Sequence, residues 1–123
     1  MNAKQGYKDL KVWQKAIELV VAIYKLTENF PKEETYGLIS QLRRASVSIP
    51  SNIAEGYRRR NPGYLIQFFS TANGSAAELE TQIFISKQLK KTSLLDYSKV
   101  DSLLEEVLKM LNVMITNSER RKR

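Results

Sequence analysis

Leu38, Leu42, Ala45, Ile49, Ile53 and Gly56 recur at alternating steps of four and three, the spacing that puts side chains on one face of an α-helix. The same period returns in three more segments. From about Lys8 to Glu28, the stripe is Leu10, Trp13, Ile17, Val20, Tyr24 and Thr27, widened by Ala16 and Ile23. From about Tyr64 to Lys90 it is Leu65, Phe68, Ala72, Ser75 or Ala76, Leu79, Ile83 and Ser86. From about Tyr97 to Asn117 it is Val100, Leu103, Leu104, Val107, Leu111, Met114 and Ile115. No segment shows the period-two alternation of a strand. Four amphipathic helices with short connections predict an all-α, antiparallel up-down-up-down four-helix bundle.

Punctuation sets the expected boundaries. Pro31 breaks the first pattern, and the second helix is expected from Glu33 or Glu34, acids suited to a first turn, to Arg60. Asn61-Pro62-Gly63 favours a turn between the second and third helices. Asp96 or Ser98 is the expected N-cap of the fourth. Residues 1–119 then form one bundle domain with helices at about 8–28, 33–60, 64–90 and 97–117, and residues 120–123 are a basic tail. Gly74 and its small neighbours cost helix propensity, and are expected to let another backbone come close.

Pro50 stands inside the second apolar face. It has no N–H to donate, and its ring crowds the carbonyl four residues back, at roughly 3 kcal/mol in an ordinary helix. Ser46, Ser48, Ser51 and Asn52 surround it, short polar side chains suited to bonding freed carbonyls. The expectation is a packed kink supported by Ser46, Ser48 and Asn52.

The chain has 123 residues and a formal net charge of +7. Residues 1–60 carry eleven Lys/Arg against six Asp/Glu, whereas residues 61–119 carry five against seven. Arg120-Arg121-Lys122-Arg123 restores the basic excess. Such asymmetry points to an anionic partner, nucleic acid first, with solubility as the plainer account. Cysteine is absent, which removes disulfides and thiolate metal sites and fits a cytoplasmic protein. No apolar run approaches the roughly 20 residues of a membrane span, so no membrane is expected as a partner.

Histidine is also absent, which removes the commonest general base and metal ligand. Glu78 and Glu80 point roughly 200° apart on a helix and make no carboxylate dyad by themselves. Glu55 is within reach of one of them across a bundle, where a buried hydrogen-bonding or ion-pair role is the favoured reading. Gly56, Gly63 and Gly74 match no phosphate-loop fingerprint. The expectation is a non-enzymatic protein with no catalytic residue, no metal and no cofactor.

The binding candidates are basic. Arg44, Ser51 and Arg58 are spaced by seven, outward from the apolar seam. Arg58, Arg59 and Arg60 cluster at a helix end beside Tyr57 and Tyr64, an end that the helix dipole also favours for cations. Lys8, Lys11 and Lys15 share a face with Lys4. Arg43 lies nearer the seam's edge, where a salt bridge with a glutamate is the structural alternative. Stripes of this kind neutralise phosphates without reading bases, and no helix-turn-helix, zinc-finger or RNA-recognition signature is present. Lys8, Lys11, Lys15, Arg44, Arg58, Arg59 and Arg60 are therefore the candidate contacts to RNA or DNA. The alternative is an interaction scaffold for a partner protein, its arginines serving solubility or subunit salt bridges. Ile66, Ala77 and Phe84 lie about 120° from the third helix's seam, and Val113 is similarly displaced on the fourth. A second apolar face of that kind suits a homo-oligomer.

The strings DLKVWQKAIELVVAIYKLTENFP, YGLISQLRRASVSIPSNIAEGYRR and GSAAELETQIFIS resemble, in order, the small four-helix-bundle family named for proteins encoded in intervening sequences of bacterial 23S ribosomal RNA genes. The part after Lys90 matches only as a generic last helix and lacks the family's Leu-Gly-Tyr type of turn. The resemblance implies an up-down-up-down bundle, commonly a pentamer. It extends to the accessory proteins of diversity-generating retroelements, basic pentamers that bind nucleic acid and a reverse transcriptase. Arg43, Arg44, Arg58 and Arg59 fall on the family's basic positions. Ser48, Pro50, Asn52, Glu55 and Glu78 fall on its motif positions, with Gly56 beside them in the same string.

Overall fold

The computed structural model of the protein describes residues 6–122; Lys4 of the first basic stripe and Arg123 of the basic tail lie outside them. Four helices carry the chain: α1 (Lys11–Thr27), α2 (Leu38–Arg59), α3 (Pro62–Gln88) and α4 (Ser98–Lys122). No strand occurs among the described residues. Each helix packs against the next and α4 closes the bundle against α1.

The pairing order gives the direction of each helix. Arg43, early in α2, bonds Thr27 at the end of α1, while Tyr57 and Arg58 at the end of α2 share a cleft with Tyr7 just before α1. Between α2 and α3, Ser48 meets Ser75, whereas Gly56 faces Phe68 and Phe69. Leu10, Lys11 and Val12 line a groove with Met110, Val113 and Met114, and Leu26 lines another with Leu95 and Val100. Neighbours run antiparallel throughout.

Local chemistry moves the helix ends from their expected places. Tyr7–Asp9 is a single 3-10 turn, and extended Leu10 separates it from α1, so the helix starts at Lys11. Lys32–Glu34 is another 3-10 turn, and α2 starts only at Leu38. Glu34 still serves that helix: its carboxylate accepts the Leu38 N–H at 3.1 Å, an anion on a helix N-terminus. Pro62 occupies the first position of α3, where its missing N–H costs nothing, and the Asn61 side chain accepts from the Gly63 N–H at 2.8 Å. A helix end therefore replaces the expected three-residue turn. α3 stops at Gln88, and α4 continues through Arg120, Arg121 and Lys122. Those basic residues form a last helical turn, where cations suit the dipole.

The core joins Leu42, Ile49 and Ile53 of α2 to Phe69, Ala76 and Leu79 of α3 and to Val107 and Leu111 of α4. Two seams differ from expectation. On α1, Ala16, Ile23 and Thr27 of the expected stripe are buried, together with Val12, Leu19, Ala22 and Leu26; Ile17 and Tyr24 are exposed, and Leu10, Trp13 and Val20 are half-buried. On α3 the buried phenylalanine is Phe69, with Phe68 at the flank.

Candidate nucleic-acid interface

α2 remains helical through Pro50, which is buried against the α1 side beside Trp13 and Val20. Its polar neighbours bond carbonyls around it. Ser46 Oγ donates to Arg43 O at 2.9 Å, Ser51 Oγ to Val47 O at 2.8 Å, and Asn52 Nδ2 to Ser48 O at 2.8 Å. None of these is the Ser46 carbonyl that proline leaves without its N–H, so the side chains brace the turns beside the gap rather than fill it. Ser48 turns outward from its own helix to meet Ser75 Oγ at 2.8 Å, tying α2 to α3 at mid-height.

Gly56 allows a close approach of these two helices. A Cβ there would lie 2.8 Å from Phe68 Cβ and 3.2 Å from the Phe69 ring. Gly74, expected to admit another backbone, faces open space within the chain. Arg43 finds no glutamate. Its Nε donates to Thr27 Oγ1 at 2.9 Å and its guanidinium lies 4.4 Å from the Tyr24 ring centroid, so it pins the end of α1 to α2. Glu55 is exposed and not buried; it pairs with Arg59 one turn later at 2.9 Å, and Glu78 and Glu80 are exposed elsewhere on α3.

The basic candidates divide by surroundings. Arg59 is held by Glu55 and lies 5.1 Å from the Tyr64 ring centroid and 5.2 Å from that of Phe68, so it braces the α2–α3 corner. Lys15 bridges Glu18 at 3.7 Å and Glu106 of α4 at 3.8 Å. Lys8 is on the 3-10 turn and does not continue the face of Lys11 and Lys15. Arg44 is exposed, but fourteen residues of helix separate it from Arg58, roughly 21 Å along the axis.

What remains gathers at one end. Antiparallel packing brings Lys8 and Lys11, the end of α2 with Arg58 and Arg60, and the last turn of α4 with Arg120, Arg121 and Lys122 to the same end of the bundle. With Arg59 this end holds eight Lys/Arg against Asp9, Glu55 and Glu119. The opposite end is less basic: Lys25, Lys32, Arg43, Arg44, Lys87, Lys90, Lys91 and Lys99 stand against Glu28, Glu33, Glu34, Asp96 and Asp101, and two of the lysines are paired, Lys87 with Asp101 at 2.6 Å and Lys91 with Glu33 at 2.6 Å. The latter bond holds Glu33 below and Lys91 above their ordinary pKa values. Charge is thus polarised along the bundle axis, a property invisible in any one segment.

Arg60 is the turning point of the basic end. It closes α2 with φ 61°, the left-handed conformation that glycine usually supplies at a helix C-terminus. That turn places Arg60 and Arg58 around a cleft of about 230 Å³ with Gly6, Tyr7 and Tyr57. Tyr7 and the last turn of α4 were absent from the sequence candidates; the antiparallel topology itself was the signal for both, since it joins the first, second and fourth segments at one end.

Residues 8–113 match the family described as 23S rRNA-intervening sequence protein. The chain belongs to this family. The match takes in every segment of the family-like text, from the turn before α1 through most of the first two thirds of α4, and leaves the basic turn Arg120–Lys122 outside. No curated protein matches the sequence at a significant level. Among the described residues, no helix of this family member is long and apolar enough to cross a membrane.

Proposed function

We propose that this family member is a non-enzymatic, cytoplasmic, homo-oligomeric protein that binds RNA or DNA through phosphate contacts at its basic bundle end. The observation that carries the reading is the convergence there of Lys8, Lys11, Arg58, Arg60, Arg120, Arg121 and Lys122 from three separate parts of the chain. Exposed cations on helix ends neutralise phosphates and release counterions, with no need to read bases. The family's description names where its members are encoded and not a ligand, so RNA and DNA strands of unselected sequence are the first ligands to try. A ring of pentameric size, as in the resemblance drawn from the sequence, would repeat the basic end around an axis and multiply weak contacts.

Fluorescence anisotropy of a labelled RNA against salt tests this. The expected affinity falls steeply as salt rises, and Arg58→Gln with Arg60→Gly lowers the log–log slope by about two. Arg60→Gly is the cleaner change because glycine relieves the left-handed backbone, so stability holds or rises while binding falls. Flat salt dependence, or no binding at low salt, sinks the proposal.

A second reading is a homo-oligomeric scaffold that recruits a partner protein such as a reverse transcriptase. Exposed Ile17, Val47 and Phe84 favour it, as apolar side chains that a single chain leaves in water. Charge reversal of Arg44 and Arg58 separates the two: loss of RNA binding with an intact oligomer supports the first.

A further inference from the structure

We propose that the cleft at the basic end receives an unpaired nucleobase, so that the protein prefers single-stranded over duplex nucleic acid; this rests on the nucleic-acid reading above. The cleft combines two kinds of group that such a ligand needs. Tyr7 and Tyr57 supply half-buried aromatic surface, and Arg58 and Arg60 supply exposed guanidinium groups on the same rim. A base on an aromatic ring with its phosphates on neighbouring arginines is the common means of holding single strands without sequence selectivity.

Size and support sharpen the ligand class. At about 230 Å³ the cleft is smaller than the roughly 300–1,000 Å³ pockets that engulf a drug-sized molecule. It suits one planar group entering from the edge, with the rest of the ligand outside. A paired base is already stacked on both faces and does not reach such a cleft without leaving the duplex. Tyr7 is backed by Trp13, with ring centroids 5.5 Å apart and planes tilted 60°, and Tyr57 packs on the core. Both tyrosines are therefore held in place before a base arrives, which limits the ordering cost of binding. The left-handed turn at Arg60 directs the chain around the cleft instead of continuing α2 past it.

Trp13 is the chain's sole tryptophan and packs on Tyr7 behind the cleft without lining it, so a base on Tyr7 reaches its fluorescence through that ring. The probes are a short oligothymidylate, an abasic strand of equal length, and a duplex of the same length, all at one salt concentration. Oligothymidylate is expected to bind about tenfold tighter than the abasic strand, the size of one base–aromatic stack, and to quench Trp13 while the abasic strand does not. Tyr57→Leu should erase that difference without changing the salt slope, and Tyr57→Phe should keep it. Equal binding of thymidylate and abasic strands, or equal binding of single strand and duplex with silent Trp13, overturns the stacking cleft and leaves phosphate binding standing. No binding of any strand overturns both. An acidic polypeptide that displaces thymidylate at equal charge concentration also overturns the assignment to a base. The thymidylate–abasic comparison and the Trp13 signal use the unmodified protein, so a poorly folding variant does not rescue the idea.

Discussion

Gly56 and Gly74 lie on the two helices of the tightest pair, yet their surroundings are opposite. At Gly56 the Phe68 Cβ stands where a new methyl would go, 2.8 Å away, and this is a side-chain root that cannot swing aside. Gly56→Ala therefore forces α2 and α3 apart at a cost of about 1–3 kcal/mol, more than the roughly 1 kcal/mol gained in helix propensity. Gly74 has nothing within reach, so Gly74→Ala keeps the propensity gain. Thermal unfolding of the two variants should shift in opposite directions, down for Gly56 and up by a few degrees for Gly74. A fall at both positions would mean that Gly74 is covered in the assembled protein. Arg43 shows the same dependence on surroundings: its neighbour Arg44 has the same chemistry, but only Arg43 reaches Thr27 and the Tyr24 ring.

Helix α4 begins with a small switch. The Asp96 carboxylate accepts both the backbone N–H and the hydroxyl of Ser98, at 3.0 Å and 2.7 Å. Those bonds hold its pKa below the ordinary carboxylate value. A group lowered in the folded state stabilises above its unfolded pKa and loses that contribution as pH falls through the folded one. The melting-temperature gap between the wild type and Asp96→Ala should accordingly be full at neutral pH and close in acid; a gap independent of pH would rule out the charged cap. Tyr97, and neither Asp96 nor Ser98, holds the N-cap position, but this turn at the helix start is legible from Asp96 and Ser98 in the sequence because it is local. The seam of α2 is legible for another reason: it is the helix's one apolar stripe, and Leu42, Ala45, Ile49, Ile53 and Gly56 are buried while Leu38, at the first position of the helix, is half-buried. α1 is different. It carries two stripes of equal period, and the bulkier one, with Trp13, Ile17 and Tyr24, looks like the core by size alone. The bundle buries Ala16, Ile23 and Thr27 of the expected set and adds Val12, Leu19, Ala22 and Leu26, while Ile17 and Tyr24 stay exposed. Periodicity cannot choose between two stripes of equal period; only the neighbours can. The basic end was half legible for the same reason, with Arg58 and Arg60 visible locally and Tyr7 and Lys122 joined to them only by topology.

The rejected stripe of α1 bears on the whole molecule. Ile17 and Val47 share a groove between α1 and α2, while Phe84, 62% exposed, lies over the groove between α3 and α4. These are two different apolar surfaces on opposite sides of the bundle. A two-fold dimer needs one self-complementary patch, whereas a closed ring needs two unlike patches that fit each other. The pair of surfaces therefore favours a head-to-tail ring, and mutants test that geometry more sharply than mass alone. Light scattering should give the wild type a mass several times 14.2 kDa, and Ile17→Lys and Phe84→Lys should each break the ring without unfolding the chain, since both side chains are exposed. Each variant keeps one sound surface. Mixed in equal amounts, they can join once and then stop, because both outer surfaces carry the new charge. The expected product is a dimer of one copy of each, absent from either variant alone. A mixture that stays monomeric would show that Ile17 and Phe84 do not face each other across a subunit contact, and a wild type that is monomeric at micromolar concentration would remove the ring altogether.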